Sequence, residues 1–295
     1  MRNAERKATG GYTRTDLACE AGRPAEVETT ESASLSSTTE ARVIRRREED
    51  GGQYVTVFCG RLTELGESET RALSRVIARE MEHLAYLMLG RLPDPDCRVL
   101  VVGLGNADMT PDAIGPATAR SLTATRHLKA HDDALYRSLG CCELAAIAPG
   151  VLGQTGIETL ELIRGAVEHV GPHLVVVVDA LAARSCDRLA TTVQLSDRGI
   201  GPGSGIGNSR EPINHESLGC PVMAVGVPTV VDSSTLVYDA LAEAGIADGD
   251  IGEELRAVLE NGRSFIVAPK DSDRITEVTA DVLARAIDRA FGVEL

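Results

Sequence analysis

Three aspartates, Asp112, Asp179 and Asp232, lie just after predicted strands, at positions where an α/β protein can carry out chemistry. The carboxyl ends of parallel strands meet at one edge of a sheet, and sites form in the crevice there. Asp179 directly follows a run of four valines, and an ionised carboxylate loses its solvation when it is buried among apolar groups. Such a residue is kept either as a structural hydrogen-bond acceptor or because its acid–base chemistry is needed.

Other chemical signatures are weaker in this chain. Gly103 and Gly105 follow a predicted strand like the opening of a dinucleotide-binding motif, but Asp108 stands where the third glycine is required. The glycine-rich segment 201–208 lacks the lysine of a phosphate-binding loop. No G-x-S-x-G or H-E-x-x-H occurs. His215 precedes a predicted strand, and it is either a solvated loop residue or a metal ligand beside the aspartates.

The net charge of −14 over 295 residues disfavours binding to nucleic acids or to anionic membranes, because the field of the protein repels phosphate. No apolar run reaches the roughly 18 residues of a membrane span, and the polar N-terminus shows no signal peptide. The seven cysteines have no metal-binding spacing. These features predict a cytoplasmic protein with reduced thiols and without a bound cofactor.

The elements that must position the aspartates alternate between strands and helices. Residues 1–52 are mostly polar or charged, and the Ser/Thr/Glu-rich stretch 28–41 predicts a flexible segment. Residues 53–295 are predicted to form an α/β domain, a mainly parallel sheet flanked by helices. The predicted strands are 53–60, 98–103, 143–148, 174–180, 191–195, 222–225 and 264–267, and the predicted helices are 69–89, 113–125, 156–170, 233–244 and 273–290.

Several long segments together resemble the spore germination proteases. They are VVGLGNADMTPDAIGP (101–116), APGVLGQTGIETLELIRG (148–165), VVVVDALAARS (175–185), LGCPVMAVGVPTVVD (218–232) and, near the N-terminus, RTDLACEA (14–21). The similarity runs in order from about residue 98 to the C-terminus, and collinear blocks of this length are far more specific than a short motif.

The resemblance implies an aspartic-type endopeptidase that degrades small acid-soluble spore proteins at germination, in the forespore or spore core. It implies a fold related to the hydrogenase maturation proteases and assigns catalysis to Asp112 and Asp179. It also implies a homotetrameric zymogen that removes its own propeptide. Cleavage is predicted between Asp16 and Leu17, which releases residues 1–16 and leaves 17–52 as the flexible segment.

A pair of carboxylates can hydrolyse an amide if one is ionised and the other protonated, and like-charge repulsion separates their pKa values in this way. Backbone N–H groups at Gly103, Gly105 and Asn106 are predicted donors to the oxyanion. Two alternatives stay open. One is a metal-dependent peptidase that uses His215 with the two aspartates, and the other is an inactive relative kept for binding or assembly.

Overall fold

The protein is described here from a computed structural model that covers residues 15–20, 25–203, 210–261 and 265–293. Most of the predicted propeptide and part of the glycine-rich loop, residues 204–209, lie outside the described residues. Within the described ranges one sheet contains β1 (Ala25–Ser34), β2 (Glu40–Glu48), β3 (Gln53–Phe58), β4 (Arg98–Gly103), β5 (Glu143–Ile147), β6 (Leu174–Ala183), β7 (Thr192–Ser196), β8 (Val222–Asp232) and β9 (Ile266–Val267).

The α-helices of the same ranges flank this sheet and confirm the α/β class. They are α1 (Glu67–Leu89), α2 (Ile114–Ser121), α3 (Arg126–His131), α4 (Asp133–Leu139), α5 (Leu152–Thr155), α6 (Thr159–Val170), α7 (His215–Leu218), α8 (Ser233–Glu243), α9 (Glu253–Asn261) and α10 (Ser272–Ala290). No helix of the described part has the length and apolar character needed to cross a membrane.

The sheet is mixed, so the prediction of a mainly parallel sheet is wrong. Its strand order is β1-β2-β3-β7-β8-β6-β4-β5, with β9 paired to the end of β8. Strands β8, β6, β4 and β5 are parallel, whereas β1, β2, β3, β7 and β9 pair antiparallel with their neighbours. A parallel pair needs a crossover of about a dozen residues. The turns at 35–39 and 49–52 are too short for one, which forces β1, β2 and β3 into an antiparallel arrangement.

Strands β1 and β2 occupy the part of the chain that the sequence predicts to be flexible. In β2, Ala41 and Val43 point into the core, whereas Glu40, Arg42 and Arg47 are exposed. Strand β1 is exposed almost throughout, and it is held by its backbone ladder with β2 and by an ion pair of 3.0 Å between Arg45 and Glu31. An exposed edge strand needs few apolar residues, which is why its composition resembles that of a disordered segment.

Strand β6 is buried on both faces, as its run of valines predicts. Val176 and Val178 pack in the cluster that includes side chains of α1 and α10, and Val175 and Val177 pack in the cluster with α6. Helices α1, α2 and α10 therefore cover one face of the sheet, and α6 covers part of the other.

Strands β6 and β8 extend past their predicted ends. The sequence predicts a strand that ends at residue 180, just after Asp179, but in the structure Asp179 pairs with Gly226 inside the β6–β8 ladder and β6 continues to Ala183. This extension projects beyond the neighbouring strand β4, which ends at Gly103. It forms the wall on which the N-terminal segment docks.

Candidate active site

Asp112 lies in the loop after β4, in a 3₁₀ turn that leads into α2. Its Oδ2 accepts a hydrogen bond of 2.7 Å from the backbone N–H of Asn106. Gly105, the residue before Asn106, has a φ of +114°, and a side chain there would overlap the carbonyl oxygen of Asp112. Glycine is therefore needed for the loop to fold back on itself, and this tight loop fixes the position of the carboxylate.

Two threonine hydroxyls hold the same loop from outside. Thr229 of β8 donates to the carbonyl oxygen of Pro111 at 2.7 Å, and Thr276 of α10 donates to that of Thr110 at 2.9 Å. Thr229 lies within the quoted segment 218–232, but no residue type or spacing assigns a role to either threonine. Their spatial closeness to the loop appears only in the folded chain.

Asp179 is a buried carboxyl group with an exposed fraction of 6%. Burial raises its pKa well above the usual value, and the negative charge of Asp112 and then that of Asp16 raise the pKa further. One hydrogen bond, from the N–H of Ala180 to Oδ1 at 2.9 Å, acts in the opposite direction. Burial also raises the pKa of Asp112, against the effect of its hydrogen bond from Asn106. The two carboxylates thus lie close enough for one charge to affect the other.

The N-terminal segment Thr15–Glu20 docks beside this pair. The N–H of Asp16 donates to the carbonyl oxygen of Ala182 at 3.0 Å, and the N–H of Ala182 donates to the Asp16 carboxylate at 2.9 Å. The segment is therefore held along the extended end of β6, three residues beyond Asp179. The bond predicted to be cleaved follows Asp16 directly.

Leu17 anchors the segment in an apolar pocket. Its side chain is fully buried against Leu181, Ala183 and Val231. Full burial of a leucine stabilises a contact by about 1.5–3 kcal/mol. Leu17 is the residue after the predicted cleavage position, so the pocket holds the leaving-group side of that bond.

The predicted oxyanion donors have structural tasks in this loop. The N–H of Asn106 is already used by Asp112. A side chain at Gly103 would overlap the carbonyl oxygen of Gly115, so this glycine allows α2 to pack on β4.

Asp232, the third strand-end aspartate, caps α8 through a bond of 2.9 Å from the N–H of Ser234. It fits the structural-acceptor interpretation.

His215 begins α7, which leads into the amino end of β8, whereas the aspartates lie toward the carboxyl end of the parallel strands. The carbonyl oxygen of Ser217 in α7 accepts a bond of 3.1 Å from Arg164 of α6. Among the described residues no three His, Cys, Asp or Glu side chains are grouped to hold a metal ion. The three-ligand set of the metal-dependent alternative is therefore not assembled.

Comparisons with known proteins identify the family. The Peptidase_A25 family model, described as germination protease, matches residues 25–246. The chain belongs to the germination protease family. The germination protease of Clostridium perfringens is 41% identical over 262 residues, which cover 81% of this chain and 78% of that protein. That of Clostridium acetobutylicum is 36% identical over 287 residues (90% and 85%), and that of Priestia megaterium is 36% identical over 276 residues (85% and 73%).

As a germination protease, the chain is a hydrolase of peptide bonds. The matched region contains the three strand-end aspartates, Asp112, Asp179 and Asp232, together with β1 through α8 of the fold. The docked segment Thr15–Glu20 lies outside it. The family is therefore established without the segment predicted to be processed.

Proposed function

We propose that this germination protease is an endopeptidase that degrades small acid-soluble spore proteins during germination and that Asp112 and Asp179 are its catalytic pair. The observation that carries the proposal is the placement of two carboxyl groups of unequal burial beside a docked peptide. Asp179 is buried and has a raised pKa, whereas Asp112 is partly exposed and receives a backbone N–H. These are the unequal environments that acid–base catalysis by a carboxyl pair requires.

In the proposed reaction Asp179 carries the proton that the pair shares, because it is the more deeply buried of the two. The Asp112 carboxylate takes a proton from a water molecule, whose oxygen attacks the carbonyl carbon of the substrate. Asp179 gives its proton to the leaving nitrogen as the C–N bond breaks. The proton gained by Asp112 returns to Asp179 when the products leave, so both groups are restored.

We propose that the same site removes the chain's own residues 1–16 by cleavage between Asp16 and Leu17. Support comes from the hydrogen bonds of Asp16 to Ala182 and from the buried Leu17, which together hold this bond at the extended end of β6. Mildly acidic pH is expected to quicken the conversion, because the pair then carries its shared proton more often. N-terminal sequencing of the matured protein should find Leu17 first, and any other first residue contradicts the assignment.

The assembly and compartment are also proposed. We expect a homotetramer in the cytoplasm of the forespore or spore core and a fold related to the hydrogenase maturation proteases. Exposed apolar side chains on and around α8 and α9, namely Leu236, Val237, Val258 and Phe265, offer a surface for association. Sedimentation equilibrium tests the assembly, and a monomer at all concentrations contradicts it.

The test of the function is degradation of a purified small acid-soluble spore protein. Asp112→Asn and Asp179→Asn should each lower kcat by about 10²–10⁴-fold or more while the fold stays intact, because an amide side chain cannot take up or release the proton. Asp108→Asn is the matched control in the same loop and should remain active. A folded Asp112→Asn or Asp179→Asn protein that cleaves at the wild-type rate contradicts the proposal.

The same assay tests for metal dependence. His215→Ala should retain the wild-type rate, and treatment with a chelator should leave that rate unchanged. A large loss in the variant that added zinc or manganese restores would favour the metal-dependent mechanism instead.

A further inference from the structure

Gln194 lies in the same row of the sheet as Asp179. The register pairs Asp179 of β6 with Gly226 of β8, and Gly226 with Gln194 of β7. Residues directly opposite each other share a face, so the Asp179 and Gln194 side chains project on the same side of the sheet. Neighbouring strands are about 4.8 Å apart, which separates their Cα atoms by roughly 9.6 Å. Gly226 has no side chain, and the Leu181 side chain packs over it between the two strands.

The carboxamide of Gln194 binds the backbone of the docked segment on both sides of the predicted cleavage position. Its Nε2 donates to the carbonyl oxygen of Asp16 at 3.1 Å, and its Oε1 accepts from the N–H of Ala18 at 2.7 Å. A carbonyl only accepts and an N–H only donates, so these partners fix the orientation of the amide. Gln194 is itself buried, with an exposed fraction of 8%.

The carbonyl oxygen of Asp16 belongs to the bond between Asp16 and Leu17. We propose that Gln194 is a catalytic residue whose side-chain N–H stabilises the oxyanion formed when that bond is hydrolysed. The inference rests on the proposed self-processing. As water adds to the carbonyl carbon, the C=O electron pair moves onto this oxygen and its charge grows beside Nε2. When the intermediate collapses, the pair returns and the bond to Leu17 nitrogen breaks. Gln194 forms no covalent bond at any step.

A buried donor of this kind acts more strongly on the charged intermediate than on the neutral carbonyl. Gln194 therefore takes the role that the sequence predicts for the N–H of Asn106, which is instead used by Asp112. The two hydrogen bonds of the Gln194 carboxamide go to backbone atoms of the segment. This binding therefore does not depend on the side chains of the bound peptide. Gln194 should serve the cleavage of separate protein substrates as well as self-processing.

The experiment compares Gln194→Glu and Gln194→Met with the wild type and with Gln53→Glu, a matched change on the neighbouring strand β3. The Glu variant keeps an acceptor for the N–H of Ala18 but loses the donor, and the Met variant loses both without adding charge. The rate of self-processing is followed by intact mass, and kcat and KM are measured with a purified small acid-soluble spore protein.

Both Gln194 variants should lower the processing rate and kcat by about 10²–10³-fold, the usual effect of removing one oxyanion donor. In Gln194→Glu the fall in kcat should be much larger than any rise in KM, and Gln53→Glu should match the wild type throughout. A structural role would instead raise KM or lower the temperature of unfolding. A folded Gln194→Met protein with kcat within threefold of the wild type, or a change confined to KM, overturns the inference.

An Asp179→Asn arm separates this inference from the proposed function. If Asp179→Asn is inactive while Gln194→Met cleaves normally, only the role of Gln194 is wrong. If Asp179→Asn also cleaves normally, the paired-aspartate mechanism itself is wrong.

Discussion

The substitution Asp179→Asn is expected to raise the free energy of unfolding near neutral pH while it abolishes proteolysis. Burial and the charge of Asp112 raise the pKa of Asp179 in the folded protein. In the unfolded chain the pKa of an aspartate is about 3.9. Below that pH both states are protonated, so the group contributes no difference. As the pH rises, the unfolded state ionises first and the folded state loses stability until its own pKa is passed.

The size of the effect follows from this linkage. Each unit by which the folded pKa exceeds the unfolded one costs the wild type about 1.4 kcal/mol. Asparagine does not titrate, and its side-chain oxygen can still accept the N–H of Ala180 that Asp179 binds at 2.9 Å. The advantage of the variant should therefore be near zero at pH 3.5, grow by about 1.4 kcal/mol per pH unit, and level off once the folded Asp179 ionises.

Urea unfolding between pH 3.5 and pH 8 measures this difference. Protein concentration must be fixed, because association also changes apparent stability. Asp250→Asn, the same chemical change at an exposed turn, is the control and should show no such gain. An Asp179→Asn protein that is less stable at pH 7, or a difference that does not vary with pH, would refute the assigned burial of an acidic proton.

Three further substitutions test the surroundings of the pair and the packing of the fold. Thr229→Val removes the 2.7 Å hydrogen bond to the carbonyl oxygen of Pro111; loss of about 1.4 kcal/mol of loop positioning should lower kcat about tenfold, and an unchanged kcat would contradict it. Gly226→Ala drives a Cβ into a leucine side chain and should lower the free energy of unfolding by about 1–3 kcal/mol in urea. Glu80→Gln weakens the paired bonds of 2.6 and 2.7 Å from Arg45 and should cost about 1.5–3 kcal/mol; a loss under about 0.5 kcal/mol would show the ion pair to be unimportant.

The sequence predicts the centre of the fold better than its edges. The valines before Asp179 mark a buried strand, and the rule that sites form at strand ends brings Asp112 and Asp179 to one crevice. Strand β1 is not predicted because it is exposed almost throughout and carries no apolar pattern, and β2 is not predicted because it contributes only a short alternation around Ala41 and Val43. The hydrogenase maturation protease kinship and the catalytic role of the two aspartates stay predictions.

The residues that the sequence does not reveal act through contacts between distant elements. Gln194 lies in an ordinary strand, and only the register of β7 with β8 brings it level with Asp179. Thr229 likewise reaches Pro111 from a different strand. Local residue patterns carry no information on such register, because it depends on how the whole sheet is assembled.

The most direct test of the paired-aspartate account is the intact mass of the purified chain during incubation at mildly acidic pH. The wild type should lose residues 1–16 and leave a chain that begins at Leu17. Asp112→Asn and Asp179→Asn should each keep the full mass over the same time. Maturation of either variant at the wild-type rate, by itself and without added protease, would show that this pair does not cleave the bond.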